Sequence, residues 1–97
     1  MSHFAKDKRI LLWDLYNEPG NSGKLDTSLP LLTKVFEWAR QVNPDQPLSV
    51  ALWRWDFEKL NAFQVLNSDI ITYHDYEAAE WHKRVLQVLK THGRPLI

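Results

Sequence analysis

Runs that pattern as buried strands alternate along this chain with runs that pattern as amphipathic helices, and that alternation constrains the fold more than any other feature of the sequence. Residues 9–15 hold an unbroken apolar run, Ile10-Leu11-Leu12-Trp13 followed by Asp14-Leu15, without the alternation of a half-solvated antiparallel strand. A strand buried on both faces is expected. Asn17, Glu18, Pro19, Gly20, Asn21, Ser22 and Gly23 follow, all residues that suit turns or their immediate flanks, and they predict a loop. Asp26, Thr27 and Ser28 then offer capping oxygens and Pro30 suits a first helical turn. Leu32, Val35, Phe36, Ala39 and Val42 recur at helical spacing until Asn43-Pro44 stops them, so a helix is expected over residues 28–42.

The same order then repeats. Residues 48–53 read as a short buried strand, and Asp56 is placed to cap a shorter helix that includes Phe57, Leu60 and Leu66. Residues 69–73 form the third expected strand, and Ala78, Trp81, Val85, Val88 and Leu89 mark one face of the next helix. Gly93 suits a left-handed cap, and Pro95-Leu96-Ile97 opens a fourth strand. Connections long enough to carry a helix imply parallel pairing through right-handed crossovers. The expected class is therefore α/β, a single segment over residues 1–97 with about four parallel strands in sequence order and three helices on one face. Such a unit leaves strand edges bare, so the chain reads as a segment of something longer with a tendency to form homo-oligomers.

Charge and composition exclude several classes of function. Lys plus Arg number 12 and Asp plus Glu number 12, so no net field recruits nucleic acid or an anionic membrane. Cysteine is absent, which removes disulfides, thiolate metal sites and thiol nucleophiles while leaving the compartment open, a secreted or periplasmic parent included. No apolar run approaches the roughly 20 residues of a membrane span, and residues 1–9 lack the apolar stretch of a secretory signal. The chain is expected to be soluble. Five Trp in 97 residues are several times ordinary usage, and such rings either fill a core or wall a ligand site.

Ligands of parallel α/β sheets bind beyond the carboxyl ends of the strands. Those ends deliver Tyr16, Asn17, Glu18 and Pro19, then Trp53, Arg54, Trp55 and Asp56, then Tyr73, His74, Asp75 and Tyr76. Trp13-Asp14-Leu15-Tyr16-Asn17-Glu18-Pro19 resembles the end of the fourth barrel strand in the clan A (β/α)8 retaining glycoside hydrolases, the superfamily of cellulases, mannanases, β-xylanases and β-galactosidases. Tyr73-His74-Asp75-Tyr76 is similar to the sixth-strand end of that family, and Arg94-Pro95-Leu96-Ile97 resembles the opening of the seventh. In order and spacing the resemblance covers nearly the whole chain, from strand four into strand seven of a partial TIM barrel.

The resemblance implies hydrolysis of β-linked sugars by double displacement, with an oligo- or polysaccharide substrate and no cofactor or metal. It makes Glu18 the acid/base and gives Asn17 the sugar 2-hydroxyl. His74 and Tyr76 would line the sugar site, Tyr76 as a candidate to steer the nucleophile, and Trp53 or Trp55 would stack on a sugar. The family's nucleophile is a Glu slightly further into strand seven than Ile97, and a retaining site needs two carboxyl groups about 5 to 5.5 Å apart. The isolated chain is accordingly expected to be inactive. Asp56 and Asp75 are alternative carboxylates, although Asp in such turns more often caps a helix or forms an Asx turn. Other readings are a non-catalytic carbohydrate-binding module using Trp53, Trp55 and Tyr76, and a metal-dependent hydrolase with His74 joined by Asp75, Glu77, Glu80 or His82. Trp13, Trp38 and Trp81 fall within element patterns and are expected to pack, and Asp14, inside an apolar run, needs a polar partner.

Overall fold

The computed structural model describes residues 1–54 and 56–97, with the backbone alone at Leu25. The fold mixes helix with short parallel strands. Strands β1 (Trp13–Asp14), β2 (Leu48–Ser49), β3 (Ala51–Leu52) and β4 (Thr72–Tyr73) alternate with helices α1 (Leu29–Val42), α2 (Glu58–Asn67) and α3 (Ala79–Lys90). A 3₁₀ turn at Leu25–Ser28 leads directly into α1, and another occupies Ser2–Phe4.

Two parallel ladders share the central stretch 48–52. Trp13 and Asp14 pair with Leu48 and Ser49 on one side, and Ala51 and Leu52 pair with Thr72 and Tyr73 on the other. Val50 lies between β2 and β3, two short strands of one stretch of chain, each with its own neighbour. Beyond β4, Ile71 bridges Leu96 in parallel, with the Ile97 N–H donating to the Ile71 carbonyl at 3.0 Å. The strands thus form two small parallel sheets, β1–β2 and β3–β4, in place of the single sheet expected, with neighbours in sequence order.

Side-chain alternation along 48–52 sorts the two faces. Leu48 and Val50 join Leu32, Phe36 and Ala39 of α1 and Leu60 of α2 in one core cluster. Leu52 joins Ile71 with Val85 and Leu89 of α3 in a second. Since residues 48, 50 and 52 point the same way, all three helices cover one face. Leu32, Leu48, Leu60 and Ile71 are fully buried, each contributing about 1.5–3 kcal/mol relative to exposure. On the opposite face the Ser49 hydroxyl donates to the Ile70 carbonyl at 2.7 Å and meets the Thr72 hydroxyl at 2.9 Å. Short polar side chains therefore cross-link that face.

Several expectations need correction. The first strand is two residues long, and Leu11 is 76% exposed. Its backbone pairs only with residues 47–49 among the described residues, through Trp13 N–H to Pro47 and Leu15 N–H to Ser49, so the apolar run gains a neighbour on one side. Asp56 does not cap α2, whose N-cap is Phe57 without a side-chain bond, because Asp56 is held by Arg54 instead. Ser28 likewise makes no side-chain cap bond to α1. Leu66 is 75% exposed, and Leu60 and Gln64 are the buried residues of α2. One ending comes out as expected: Asn43 closes α1 in the left-handed region with its N–H on the Ala39 and Arg40 carbonyls. The other does not, since α3 ends at Lys90 with Thr91 as its cap, and Gly93, with a φ of 64°, lies two residues further on. Among the described residues no helix is long and apolar enough to cross a membrane.

Candidate functional site

The loop after β1 takes its shape from three consecutive residues. The Asn21 N–H donates to the Glu18 carbonyl at 3.0 Å, with Pro19 and Gly20 between them and Gly20 at a φ of 91°. Proline then glycine at the two central positions, with positive φ at the second, is the signature of a type II turn. Glycine is required twice over, because a Cβ at position 20 would lie 2.7 Å from the Phe57 ring and 2.9 Å from the end of Leu60. The turn is thereby pressed onto the start of α2. Glu18 itself sits at a φ of 47°, a left-handed conformation that costs a non-glycine residue about 1–3 kcal/mol.

That strained residue points its carboxylate at the end of β4. The Leu52 carbonyl accepts the His74 N–H at 2.8 Å, which fixes His74 just past β4. Its Nδ1 lies 2.7 Å from Glu18 Oε1, and the Asn21 side-chain amide donates to Glu18 Oε2 at 2.7 Å. The Glu18 side chain is only 12% exposed and that of His74 is 33% exposed. An ionised Glu18 accepts from Nδ1–H, which leaves Nε2 of a neutral ring as an acceptor. Each carboxylate oxygen keeps a second lone pair, which can accept from a ligand hydroxyl.

Asp14 stands next to this pair on the face away from the helices. It is exposed, yet it has the polar partners expected of a carboxylate in an apolar run, the Tyr16 and Ala51 N–H groups. Loss of surrounding water still pushes its carboxyl up from the ordinary aspartate range, against the Tyr16 and Ala51 N–H groups and the charge of His74, which pull it down.

Beside His74 opens a groove of about 840 Å³ lined by Trp53, Arg54, Asp56, Asp75, Tyr76 and Trp81, with Glu77 at its edge. Tyr76 is 80% exposed, its ring 6.2 Å from that of His74. Trp53 meets Phe57 edge-on at 6.0 Å and carries the Arg54 guanidinium 5.8 Å from its ring centre. Arg54 in turn grips both oxygens of Asp56 at 2.7 and 2.9 Å, which holds that carboxyl below its usual range. Glu18 and Asn17 are not among the groove's walls; Glu18 reaches it through His74, and Asn17 is exposed nearby in the chain. Trp55 lies outside the described residues.

Two further residues matter here, Trp81, which the sequence reading left to packing, and Asp75, which forms the Asx turn expected of an Asp at such a position. Trp81, expected to pack, lines the groove and is 42% exposed, and Asp75 is a buried anchor with a side chain 3% exposed. Asp75 accepts the Glu77 N–H at 2.9 Å, an Asx turn, and meets His82 Nδ1 at 3.0 Å, while His82 stacks on Tyr73 at 5.8 Å. Burial, with the charge of Asp75 behind it, pushes the Tyr73 hydroxyl up from its ordinary value. The turn residue Asp75 thus fastens the His74 loop to α3. Among the described residues no three His, Asp or Glu side chains are grouped to hold a metal ion. Trp38, also expected to pack, is 56% exposed on α1, and Trp13 is half-buried with its indole N–H on Gln46 at 3.0 Å.

No protein-family model, curated protein or solved structure matches this chain.

Proposed function

We propose that this chain forms an arc of a (β/α)8 barrel from a retaining glycoside hydrolase of clan A type and carries its acid/base. In this reading Glu18 protonates the glycosidic oxygen in the first step and takes a proton from water in the second. Asn17 holds a sugar hydroxyl, and His74 and Tyr76 line the sugar site with Trp53. The role of nucleophile goes to none of the 97 residues.

The observation that carries the reading is the 2.7 Å contact of Glu18 with His74. It joins the two motifs on which the resemblance rests, at the carboxyl ends of two strands, where parallel α/β sheets bind ligands. Strand order and a one-sided helical layer support the barrel arc. Positive φ at Glu18 adds support, because backbone strain of this kind gathers at functional sites. The reading includes self-association, favoured by exposed Leu66 and Val88, and light scattering at rising concentration would show it as a growing mass.

The test has a binding arm and a catalytic arm. Titrating the chain with β-linked gluco-, manno-, xylo- and galacto-oligosaccharides should move the NMR signals of the His74 ring and the Asn17 amide with at least one of them. In the longer enzyme that the reading requires, Glu18→Ala should cost about 10²- to 10⁴-fold in turnover of substrates with poor leaving groups. Azide should then restore reaction of activated aryl glycosides and yield a β-glycosyl azide. Unchanged turnover in Glu18→Ala would overturn the assignment.

A further inference from the structure

We infer that the groove beside His74 is a saccharide subsite built on Trp81, and that its charges admit neutral and amino sugars while turning away uronates. The inference rests on the glycosidase reading for the word saccharide, and on the groove itself for the rest.

Geometry singles out Trp81. The side of α3 that packs on the strands carries Val85, Leu86 and Leu89, buried or half-buried, and His82, whose ring stacks on Tyr73, at the i, i+3, i+4, i+7 spacing of one helical face. Trp81 precedes that set by one position, about 100° around the helix, and so is turned off the core at the first turn. Its ring is 42% exposed on the groove wall. Trp53 is less available, since Phe57 meets it edge-on and Arg54 lies against it. A large ring held by a helix and left open to a groove suits stacking on the apolar face of a pyranose, and Tyr76, 80% exposed, offers a second ring.

Charge then narrows the ligand. Arg54 is the one Lys or Arg among the groove's described residues, and both oxygens of Asp56 engage it, while His74 faces the Glu18 carboxylate through Nδ1. Asp75 and Glu77 remain, one buried beneath the wall and one exposed at the rim, and Glu18 stands behind His74. No free cation is left among the groove's described residues to receive a sugar carboxylate. A uronate would bring like charge to within a Debye length of these carboxylates, whereas a glucosamine ammonium would bring the opposite sign.

Matched pairs of tetrasaccharides test this: β-1,4-linked mannose against β-1,4-linked mannuronate, and β-1,4-linked glucose against β-1,4-linked glucosamine, read by tryptophan fluorescence and calorimetry at low salt. We expect mannuronate to bind about tenfold or more weakly than mannose, the gap to shrink with added salt and in Glu77→Gln, and glucosamine to bind at least as tightly as glucose. Trp81→Ala should lose about tenfold or more in affinity for the neutral sugars, and Trp81→Phe, which keeps a ring and serves as the folding control, should retain most of it. Equal or tighter mannuronate binding, or neutral-sugar affinity unchanged in Trp81→Ala, overturns the inference. Glu18→Gln separates the two claims: affinity lost in Trp81→Ala while Glu18→Gln affects neither binding nor turnover would leave the subsite standing and remove the acid/base reading.

Discussion

His74 Nδ1 and Glu18 Oε1 lie 2.7 Å apart although 56 positions separate the two residues in sequence. The parallel pairings of β1 with β2 and of β3 with β4 place the ends of β1 and β4 on one rim, so the contact is a consequence of topology as much as of chemistry. Residues that share one hydrogen bond should be coupled energetically. In a double-mutant cycle on saccharide affinity, Glu18→Gln and His74→Ala should each weaken binding, and the double variant should lose less than their sum by about 0.5–3 kcal/mol. Calorimetry on the four proteins gives the coupling directly; additive losses would mean that the two side chains act independently.

Gly20→Ala should be among the most damaging small substitutions in the chain. It places a Cβ where φ is positive and 2.7 Å from the Phe57 ring, and the turn that aims Glu18 must move to relieve it. We expect about 2–4 kcal/mol of destabilisation from strain and overpacking together, read as a fall in the urea midpoint. Gly23→Ala is the control, since a Cβ there meets nothing within 4 Å and carries only the φ penalty.

The mixture of helix with short parallel strands, the three helices and the closeness of the strand ends that carry Glu18 and His74 were legible because hydrophobic period and turn chemistry are local signals that topology rules then connect. Misreadings arose where two periods overlap. In α3, Trp81, Val85 and Val88 fit one helical stripe and His82, Val85, Leu86 and Leu89 fit another, and apolarity alone favours the first. His82 makes the second the true one, because its ring is tied to Asp75 and stacked on Tyr73, partners the sequence does not reveal. Asp56 failed as a cap for a similar reason, since Arg54 two residues earlier competes for its carboxylate. Leu11 shows that an apolar run specifies what wants burial, and the neighbouring strand decides what gets it.

Gln64 is an internal weakness of α2. It is 1% exposed, and its Oε1 has no hydrogen-bond partner among the described residues, so a polar acceptor is buried without compensation. Replacing it by an apolar chain of similar length removes that cost. Gln64→Met should therefore raise stability by about 1 kcal/mol in chemical denaturation, whereas Gln64→Ala should lower it by opening a cavity. A loss of stability in Gln64→Met would mean that the amide has a partner in solution.

Asp69 and Asp14 should give opposite dependences of stability on pH. Two hydrogen bonds from Arg40, at 2.8 and 2.9 Å, hold the Asp69 carboxyl below its usual range, with the Leu48 N–H adding to them at 2.8 Å. A depressed carboxyl stabilises the fold above its unfolded value of about 3.9, and that contribution is lost as pH falls through the folded value. Asp69→Asn should thus be less stable than the parent at pH 7 and show a shallower acid limb below about pH 4. Asp14 runs the other way: desolvation raises its carboxyl, so its favourable contribution is complete below the unfolded value and disappears as pH rises through the folded one. At neutral pH the ionised side chain opposes folding, and Asp14→Asn should be more stable than the parent at pH 7 with the advantage gone near pH 3. Urea midpoints of the three proteins at pH 3, 5 and 7 decide both signs. If Asp14→Asn gains stability at pH 7 while losing saccharide affinity, the cost of keeping a carboxylate beside His74 would be explained by binding; a variant destabilised at pH 7 would show that the carboxylate is held by its N–H neighbours more strongly than burial opposes it.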